Sequence, residues 1–440
     1  MPLNIIQTLA TEGKDAVPYF DQIAVAVPVL GVVSLLKTYF GGSTNTWQRD
    51  MHGRVVIMTG GTSGVGAEIA RELAQKGAQL ILLVREHTTY AAEFVDDLRA
   101  ASGNELVYME TCDLNDLHSV RKFATKWLDN QPPRRLDTVI CCAATATPPS
   151  VERKYSRDGI EEMLQVNYLA HYHLLTLLEP ALKVQPPDRD VRIVLTSCVA
   201  HVMADLDFSD LQFTRRKYPT YSPWRAFGAS KLLLNMFGYE YQRRLAAYER
   251  PDKAPCNVRV VMADPGMMRS PSFKRFITCG SVLLLLLYLV FWPFWWLVLK
   301  TSKQGMQSIL YGVFCGELPA PIEEAVYIQE CDVRSHMARA EMNDKELQKE
   351  VFDKTKLMVE VIEKKSAIDR KKLEEKLKKE GKASNGSKTE YTPNSTASDE
   401  KITPIEEEDE ESTTGSTTTT ATGSATSRND KKKRNRKRKT

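Results

Sequence analysis

A glycine-rich turn between an apolar run and an amphipathic run is the feature that most constrains how this chain folds. The turn follows the apolar run Arg54–Met58, opens the helical pattern Gly64–Lys76, and consists of Thr59, Gly60, Gly61, Thr62, Ser63, Gly64, Val65 and Gly66. Small residues let the backbone turn sharply, and the start of a helix offers unpaired N–H groups and a favourable dipole to a phosphate. A strand before the turn and a helix after it therefore predict a dinucleotide-binding site.

Apolar runs alternate with amphipathic windows through the middle of the chain. The predicted strands are Arg54–Met58, Gln79–Val84, Glu105–Thr111, Leu136–Cys141, Val191–Ser197, Asn257–Met262 and Ala325–Ile328. The predicted helices include Gly64–Lys76, Asn115–Asn130, Gly159–Leu182 and Pro223–Tyr248. Continuous apolar strands that alternate with helices are typical of a parallel sheet covered on both faces. We therefore expect a Rossmann-type, doubly wound α/β domain of about seven strands.

The first apolar segment lies near the start of the chain. Ile23–Leu36 holds 14 uncharged residues, fewer than the roughly 20 with which a helix crosses a bilayer. We interpret residues 17–40 either as a membrane anchor or as a buried or interfacial helix. Lys37, Arg49 and Arg54 follow it. If the segment spans a membrane, the usual excess of positive charge on the cytosolic side predicts a cytosol-facing main domain.

A second apolar segment, Ile277–Leu299, has no charged residue in 23 positions. Its length suits a transmembrane helix, but the predicted strand Ala325–Ile328 after it must rejoin the sheet. We therefore expect a membrane-associated helix that enters and leaves on one side and bends at Pro293. Its tryptophans, which favour the membrane interface, are Trp292, Trp295 and Trp296. The alternative is a core helix, which would need partners on every side.

The composition changes after residue 333. Residues 334–382 are rich in Lys and Glu, with apolar residues at partial helical spacing, which predicts a charged helical extension. Residues 383–440 contain almost no large apolar side chains, so we expect a disordered tail. The predicted organisation is thus an N-terminal extension (1–49), a Rossmann domain (50–333), the helical extension and the tail.

Charge and cysteine content argue against two classes of function. The formal net charge is +4, which is too small to indicate a nucleic-acid partner, although the tail is acidic at Glu406–Glu411 and basic at its end. The eight cysteines show no CxxC spacing, so we expect reduced thiols and no metal site.

Further motifs make the chain similar to the short-chain dehydrogenase/reductase family. The turn has the family's TGxxxGxG spacing, and later positions match in the family's order: Asp113, Asn167, Pro265, Gly266 and Ser270. The resemblance implies that Asp113 contacts the adenine, that Asn167 is catalytic, and that the loop of Pro265, Gly266 and Ser270 lies beside the nicotinamide. The glycine-rich turn would then hold the pyrophosphate.

Arg85, at the end of the second predicted strand, bears on the choice of nucleotide. NAD sites usually carry an acidic residue there for the ribose 2′-hydroxyl, whereas an arginine can pair with the 2′-phosphate of NADP(H). Arg85 therefore favours NADP(H) over NAD(H), unless it is an ordinary surface arginine.

Four longer stretches resemble one branch of that family, the retinol dehydrogenases and WW-domain oxidoreductases. They are RIVLTSCVAH, DLDFSDLQF, YSPWRAFGASKLLLNMF and KTSKQGMQSILYGVF. Poorly characterised fungal oxidoreductases of the endoplasmic reticulum resemble this branch too. The resemblance implies a membrane-associated protein, and with the cytosol-facing orientation expected above, we expect it on the endoplasmic reticulum or a lipid droplet. Its substrate would be a retinoid-, sterol- or other lipid-like alcohol or carbonyl.

The catalytic pattern of the family is altered at three places. Its YxxxK motif appears as Phe227 and Lys231, and phenylalanine has no proton for acid–base chemistry. Cys198 stands at the position of the catalytic serine, with Ser197 one residue earlier on the opposite side of the strand. The family's NNAG sequence is replaced by Cys141–Ala144.

The remaining candidates have more than one explanation. Lys231 can simply hold the ribose hydroxyls, and Asn167 can organise a helix kink, so both support cofactor binding more directly than turnover. Tyr221 is an alternative acid, although helical spacing puts it on a different face from Phe227. His201 is either a proton relay or a structural residue.

The sequence therefore leaves two functions open. One is an NADP(H)-dependent oxidoreductase for a lipophilic substrate. The other is a nucleotide-binding pseudoenzyme that acts as a membrane scaffold or regulatory subunit and binds a protein partner through residues 334–440. The family resemblance also implies a homodimer through the helix Pro223–Tyr248.

Overall fold

The sheet follows from the apolar runs of the sequence. The computed structural model describes Thr11 and residues 19–279, 281–318, 322–334 and 339–385, and these residues form an eight-stranded sheet. The strands are β1 (Val55–Thr59), β2 (Gln79–Val84), β3 (Val107–Thr111), β4 (Thr138–Cys141), β5 (Val191–Thr196), β6 (Val258–Asp264), β7 (Val326–Gln329) and β8 (Asp332–Val333). Their order is β3-β2-β1-β4-β5-β6-β7-β8. All pairs are parallel except β7–β8, which is antiparallel.

Helices connect the strands, and several begin at residues that favour a helix start. The helices are α1 (Phe20–Gly41), α2 (Gly64–Gln75), α3 (Thr89–Ser102), α4 (Leu117–Leu128), α5 (Ala170–Lys183), α6 (Trp224–Ala246), α7 (Pro271–Thr278), α8 (Val282–Val290), α9 (Trp292–Val298), α10 (Ser302–Phe314) and α11 (Lys345–Asn385). The side chains of Thr88, Asp116 and Ser270 accept backbone N–H groups at the starts of α3, α4 and α7. These contacts satisfy donors that have no acceptor inside the helix.

Two apolar clusters lie on opposite faces of the sheet. One contains buried side chains of α4, α5, α6 and α11, and the other contains side chains of α2, α3 and α10. The central strands are buried along their whole length, as a parallel sheet covered on both faces requires. The strand order reverses between β1 and β4, so the carboxyl ends of these strands flank the crevice where such folds bind ligands.

The expected doubly wound Rossmann architecture is confirmed, with differences in detail. The sheet has eight described strands rather than about seven, because the chain reverses after β7 and adds the short edge strand β8. The chain before α5 is a short turn, Glu162–Leu164, followed by a π-helix, Gln165–Leu169. The helices α3 and α10 add to the four helices that the sequence analysis named.

The two apolar segments form separate helices. The described residues include one helix, α1, that is long and apolar enough to cross a membrane, and its most apolar stretch is not buried. The second segment is not one helix: Thr278 ends α7, and Phe291 separates α8 from α9. This interruption lies two residues before Pro293. Proline has no backbone N–H group to donate to the preceding turn of α8, and its ring clashes with that turn. Because α8 and α9 are each short, the insert does not cross a bilayer as a single straight helix.

The charged extension contains the helix α11, and one side of its N-terminal half is buried. Val351, Phe352, Val359 and Ile362 join the apolar cluster of α4, α5 and α6. The described residues up to Lys378 form one compact unit. The predicted disordered tail lies outside the described residues from position 386 onward.

Candidate nucleotide-binding and catalytic site

The glycine-rich turn has the backbone geometry that a close ligand approach requires. Gly60 and Gly64 have φ angles of 69° and 56°, which favour glycine. A Cβ atom on Gly66 would lie 2.0 Å from the Gly60 carbonyl oxygen, so no larger residue fits without a shift of the backbone. Ser63 is exposed and immediately precedes α2, whose first-turn N–H groups have no intrahelical acceptors. Thr62 and Val65, also in the predicted set, are half-buried in the turn.

Thr59 fixes the neighbouring turn after β4. Its hydroxyl oxygen accepts the N–H groups of Cys142 and Ala143 at 3.0 and 3.1 Å. The same oxygen lies 3.0 Å from Nε2 of His171. Thr59 thus shapes the turn in which the family's asparagine is missing.

His171 is a fully buried residue that the sequence did not point to. Its Nδ1 lies 3.2 Å from the carbonyl oxygen of Asn167. Because a carbonyl only accepts, Nδ1 carries the hydrogen and Nε2 accepts the hydroxyl hydrogen of Thr59. Burial, and then the positive charge of Lys231, lowers the pKa of His171 to about 4. The imidazole is therefore neutral at pH 7 and joins the first strand to the helix of Asn167.

Asn167 joins three parts of the site. It lies in the π-helix, a feature often found at functional sites. Its side-chain oxygen accepts the Thr145 N–H at 2.7 Å, and its amide nitrogen donates to the Thr145 carbonyl and to Ser230 Oγ, both at 3.0 Å. Every polar atom of the Asn167 side chain is engaged with protein. The geometry thus gives this side chain a structural role and leaves its predicted catalytic role untested.

Lys231 is a buried cation at the centre of the cleft, and its side chain is only 2% exposed. Its ammonium group donates to the Thr196 carbonyl oxygen at 2.8 Å, at the end of β5. Burial lowers its pKa. The ammonium has three donors, and among the described residues the Thr196 carbonyl accepts one of them.

Phe227 occupies the position of the family's tyrosine, with its ring centroid 5.9 Å from Lys231 Nζ. The ring packs against a small apolar cluster of Met163, Phe213 and Ala226. Tyr221, the alternative acid, is 77% exposed. Among the described residues, no hydrogen bond or ring contact links Tyr221 to Lys231.

Cys198 and Ser197 follow β5 with different surroundings. Ser197 is buried, whereas Cys198 is partly exposed, as expected for neighbours on opposite sides of an extended backbone. Burial and the nearby carboxylate of Asp264 raise the pKa of the Cys198 thiol. His201 Nδ1 donates to the Cys198 carbonyl at 2.7 Å. This bond supports a structural role for His201.

Asp264, at the end of β6, is a second buried residue that the sequence did not single out. One carboxylate oxygen accepts the Gly266 N–H at 2.8 Å, and the other accepts the Tyr327 hydroxyl at 3.2 Å. Burial raises the pKa of this carboxyl group. Asp264 therefore holds the Pro265-Gly266 turn, where Gly266 has a φ angle of 75°.

The loop after β6 faces the glycine-rich turn. A Cβ atom on Gly64 would lie 3.9 Å from Cβ of Ser270, which places the two predicted cofactor loops on either side of one cleft. Ser270 Oγ accepts the Phe273 N–H at 3.1 Å and so caps α7.

Three charged side chains meet at the other end of the cleft. Asp113 is nearly buried, and its carboxylate oxygens lie 3.8 Å from Arg85 Nε and 3.8 Å from Arg157 Nη2. Both arginine side chains are largely exposed. Sequence analysis predicted Arg85 and Asp113 here but missed Arg157, which is far away in the chain. The described residues hold no group of His, Cys, Asp and Glu side chains suited to a metal ion.

Comparison with known proteins agrees with this geometry. The short chain dehydrogenase family model matches residues 54–209. An uncharacterised oxidoreductase of Schizosaccharomyces pombe is 38% identical over 83% of this chain and 97% of its own length. This decides the family. The chain belongs to the short-chain dehydrogenases, a family of oxidoreductases.

Two further relatives have names that state a substrate. Retinol dehydrogenase 13 of Mus musculus is 32% identical over 67% of this chain and 82% of its own length. Polyprenol dehydrogenase of Homo sapiens is 32% identical over 60% of this chain and 74% of its own length. Membership of the short-chain dehydrogenases implies a nicotinamide cofactor. The glycine-lined turn and the buried Lys231 fit such a group.

Proposed function

We propose that this short-chain dehydrogenase is a membrane-associated, NADP(H)-dependent oxidoreductase that acts on a lipophilic alcohol or carbonyl. The observation that carries the proposal is the cleft itself, in which the glycine-rich turn, Lys231 and the loop of Ser270 lie together. The relatives named for retinol and polyprenol support a lipid-like substrate.

Different residues of the cleft would bind different parts of the nucleotide. The N–H groups at the start of α2 would receive the pyrophosphate. Lys231 would hold the ribose hydroxyls beside the nicotinamide with the donors that Thr196 leaves free. Arg85, exposed and 3.8 Å from Asp113, would pair with the 2′-phosphate, which favours NADP(H).

Proton transfer requires a different donor from the family's tyrosine. When bound, the nicotinamide supplies the hydride to the carbonyl carbon. We propose that the Lys231 ammonium, whose pKa burial lowers, releases the proton to the carbonyl oxygen and becomes neutral. Cys198 would orient this oxygen weakly, because a thiol is a poor hydrogen-bond donor.

Two observations favour the second candidate, a nucleotide-binding pseudoenzyme. Phe227 has no proton to give, and the side chain of Asn167 is fully bonded to protein. A membrane scaffold or regulatory subunit would keep the cleft, bind the nucleotide and show no turnover. The two candidates therefore differ in turnover and not in binding.

Calorimetric titration of the detergent-purified chain with NADPH and NADH tests the proposal. We expect NADPH to bind more tightly, and Arg85→Ala to weaken NADPH about tenfold or more, since a hydrogen bond to a charged group is worth about 1.5–3 kcal/mol. Gly64→Asp should abolish binding of both nucleotides, because it places a carboxylate at the start of α2. Lys122→Ala, which removes a charge from the exposed face of α4, is the control. Failure of wild type to bind either nucleotide would refute the cofactor assignment.

A further inference from the structure

Two apolar surfaces of the molecule are largely exposed among the described residues. Along α1, exposed large apolar side chains run from Ile23 to Tyr39. Along α8 and α9, they run from Val282 to Trp296. Contiguous apolar surface of this kind marks an interaction site.

One face of α1 contacts the second surface. Val33, Lys37 and Phe40 are less exposed than their neighbours, and their spacing of four and three residues places them on one side of the helix. The Lys37 ammonium donates to the carbonyl oxygens of Trp296 and Leu299 at 2.6 and 3.2 Å. It also lies 5.4 Å from the centroid of the Trp296 ring, within range of a cation–π interaction.

The carbonyl of Trp296 needs this donor. If α9 continued, the N–H of Lys300 would bond to it, but that N–H donates to Met267 O at 3.0 Å instead. The oxygen is therefore one of the unpaired acceptors at a helix end. In an apolar medium a free carbonyl and a free ammonium are both unfavourable, so the bond between Lys37 and Trp296 satisfies both groups at once.

The same segment is paired with the loop beside the cleft. The Arg269 N–H donates to Lys300 O at 2.9 Å, which completes a short bridge between residues 267–269 and Lys300. The Arg269 guanidinium lies 5.2 Å from the Trp292 ring. The end of the apolar insert is thus joined directly to the loop that follows Pro265 and Gly266.

We propose that α1 and the α8–α9 insert bind a lipid bilayer together as one surface, joined by Lys37, and that this surface places the loop of Pro265–Ser270 at the bilayer. The proposal rests on the membrane association proposed above. Aliphatic side chains on α8 with tryptophans on α9 suit a bilayer and its interface. The exposed Lys274 and Arg275 on adjacent α7 would face anionic headgroups.

Hydrogen exchange in vesicles of phosphatidylcholine and phosphatidylserine tests the joint surface. In the full chain we expect vesicles to slow exchange in residues 282–299. Lys37→Met should raise exchange at residues 296–300 and at 267–269 about tenfold or more, since it removes hydrogen bonds to a charged group. Lys37→Arg, which keeps the donors, should restore most of the protection. Lys303→Met, which removes an exposed lysine on α10, is the matched control.

The outcomes separate the inference from the proposed function. If vesicles protect residues 282–299 equally in wild type and Lys37→Met, the joint surface is refuted while membrane association stands. If vesicles change nothing in wild type, membrane association itself fails. If protection appears without vesicles and rises with protein concentration, the occupant is a second copy of the chain, and the lipid assignment is overturned.

Discussion

The hydroxyl group missing at Phe227 is one of three changes that separate this site from the family's usual catalytic pattern. The centroid of the Phe227 ring lies 5.9 Å from Lys231 Nζ, so a hydroxyl at this position would be close to the lysine that accompanies the tyrosine in the family's motif. General acid–base catalysis contributes about 10²–10⁴-fold to rate. We therefore expect Phe227→Tyr to raise NADPH-dependent reduction of all-trans-retinal by about 100-fold or more, measured by absorbance at the wavelength of NADPH.

Phe227→Leu is the control for a change of packing and should not raise the rate. An unchanged rate in Phe227→Tyr, with NADPH still bound, would favour the pseudoenzyme. Lys231→Met should abolish any wild-type turnover if this lysine supplies the proton.

His171 makes the stability of the site depend on pH. Its folded pKa of about 4 lies below the ordinary histidine pKa of 6.5, so the unfolded chain binds the proton more readily. The stabilisation from neutral His171 is complete above pH 6.5 and is lost as pH falls toward 4, at about 1.4 kcal/mol per pH unit. We expect His171→Gln to flatten this part of the profile of unfolding free energy against pH, measured by denaturant titration. Parallel profiles for the two proteins would contradict a neutral buried imidazole.

The residues that sequence analysis found and those it missed differ in a physical way. Gly60, Gly64 and Lys231 stand in local motifs whose spacing is visible in one stretch of chain. The partners of Thr59 and Asp113, which are His171 and Arg157, come from distant elements and have no local signal. Only the folded sheet brings them together.

At the scale of elements, α11 covers the face formed by α5 and α6. The Phe352 ring lies 5.1 Å from the Tyr172 ring and 5.9 Å from the Phe237 ring. The Thr355 and Tyr168 hydroxyl groups are 2.7 Å apart. A homodimer through the helix Pro223–Tyr248, which the family resemblance implied, would have to displace α11 wherever it covers this face.

Loss of the Phe352 ring should therefore destabilise the whole domain. A buried Phe→Ala change costs about 3–5 kcal/mol, and we expect Phe352→Ala to lower the free energy of unfolding by that amount. Leu357→Ala, at a position on α11 that is 62% exposed, should change it by less than about 0.5 kcal/mol. Thermal and guanidinium unfolding of both variants measures the difference. Equal effects would mean that α11 is not part of the core.

The bounds of strands and helices could be predicted from the sequence where the apolar run was clear. They could not be predicted where tertiary contacts determine them. Strand β2 begins and ends as its apolar run predicts. The sequence predicted a bend at Pro293, and the structure interrupts the segment two residues earlier, at Phe291. The pairing of Lys300 with Met267 is a tertiary contact that no window of sequence displays. The partner of α11 was equally hidden, because its apolar residues have only partial helical spacing.

At the scale of the whole molecule, the apolar surface and the catalytic cleft are connected through one loop. This arrangement predicts that a substrate dissolved in a bilayer reaches the cleft by way of the α8–α9 insert. A small water-soluble substrate should reach the cleft without the insert. Leu283→Glu combined with Leu287→Glu places two charges at positions that are 75% and 51% exposed. Burial of a leucine side chain is worth about 1.5–3 kcal/mol. We expect the double variant to lose vesicle flotation and at least tenfold of its kcat/KM for retinal presented in vesicles.

The affinity of this variant for NADPH should stay unchanged, because the substituted side chains lie outside the nucleotide cleft. The matched control is a double variant of α11, Leu357→Glu with Ile368→Glu, which also places two negative charges at exposed apolar positions. A short soluble aldehyde should be reduced at equal rates by wild type and both variants. Equal loss on the soluble and the vesicle-borne substrate would mean that α8 supports the cleft rather than the approach of substrate from the membrane.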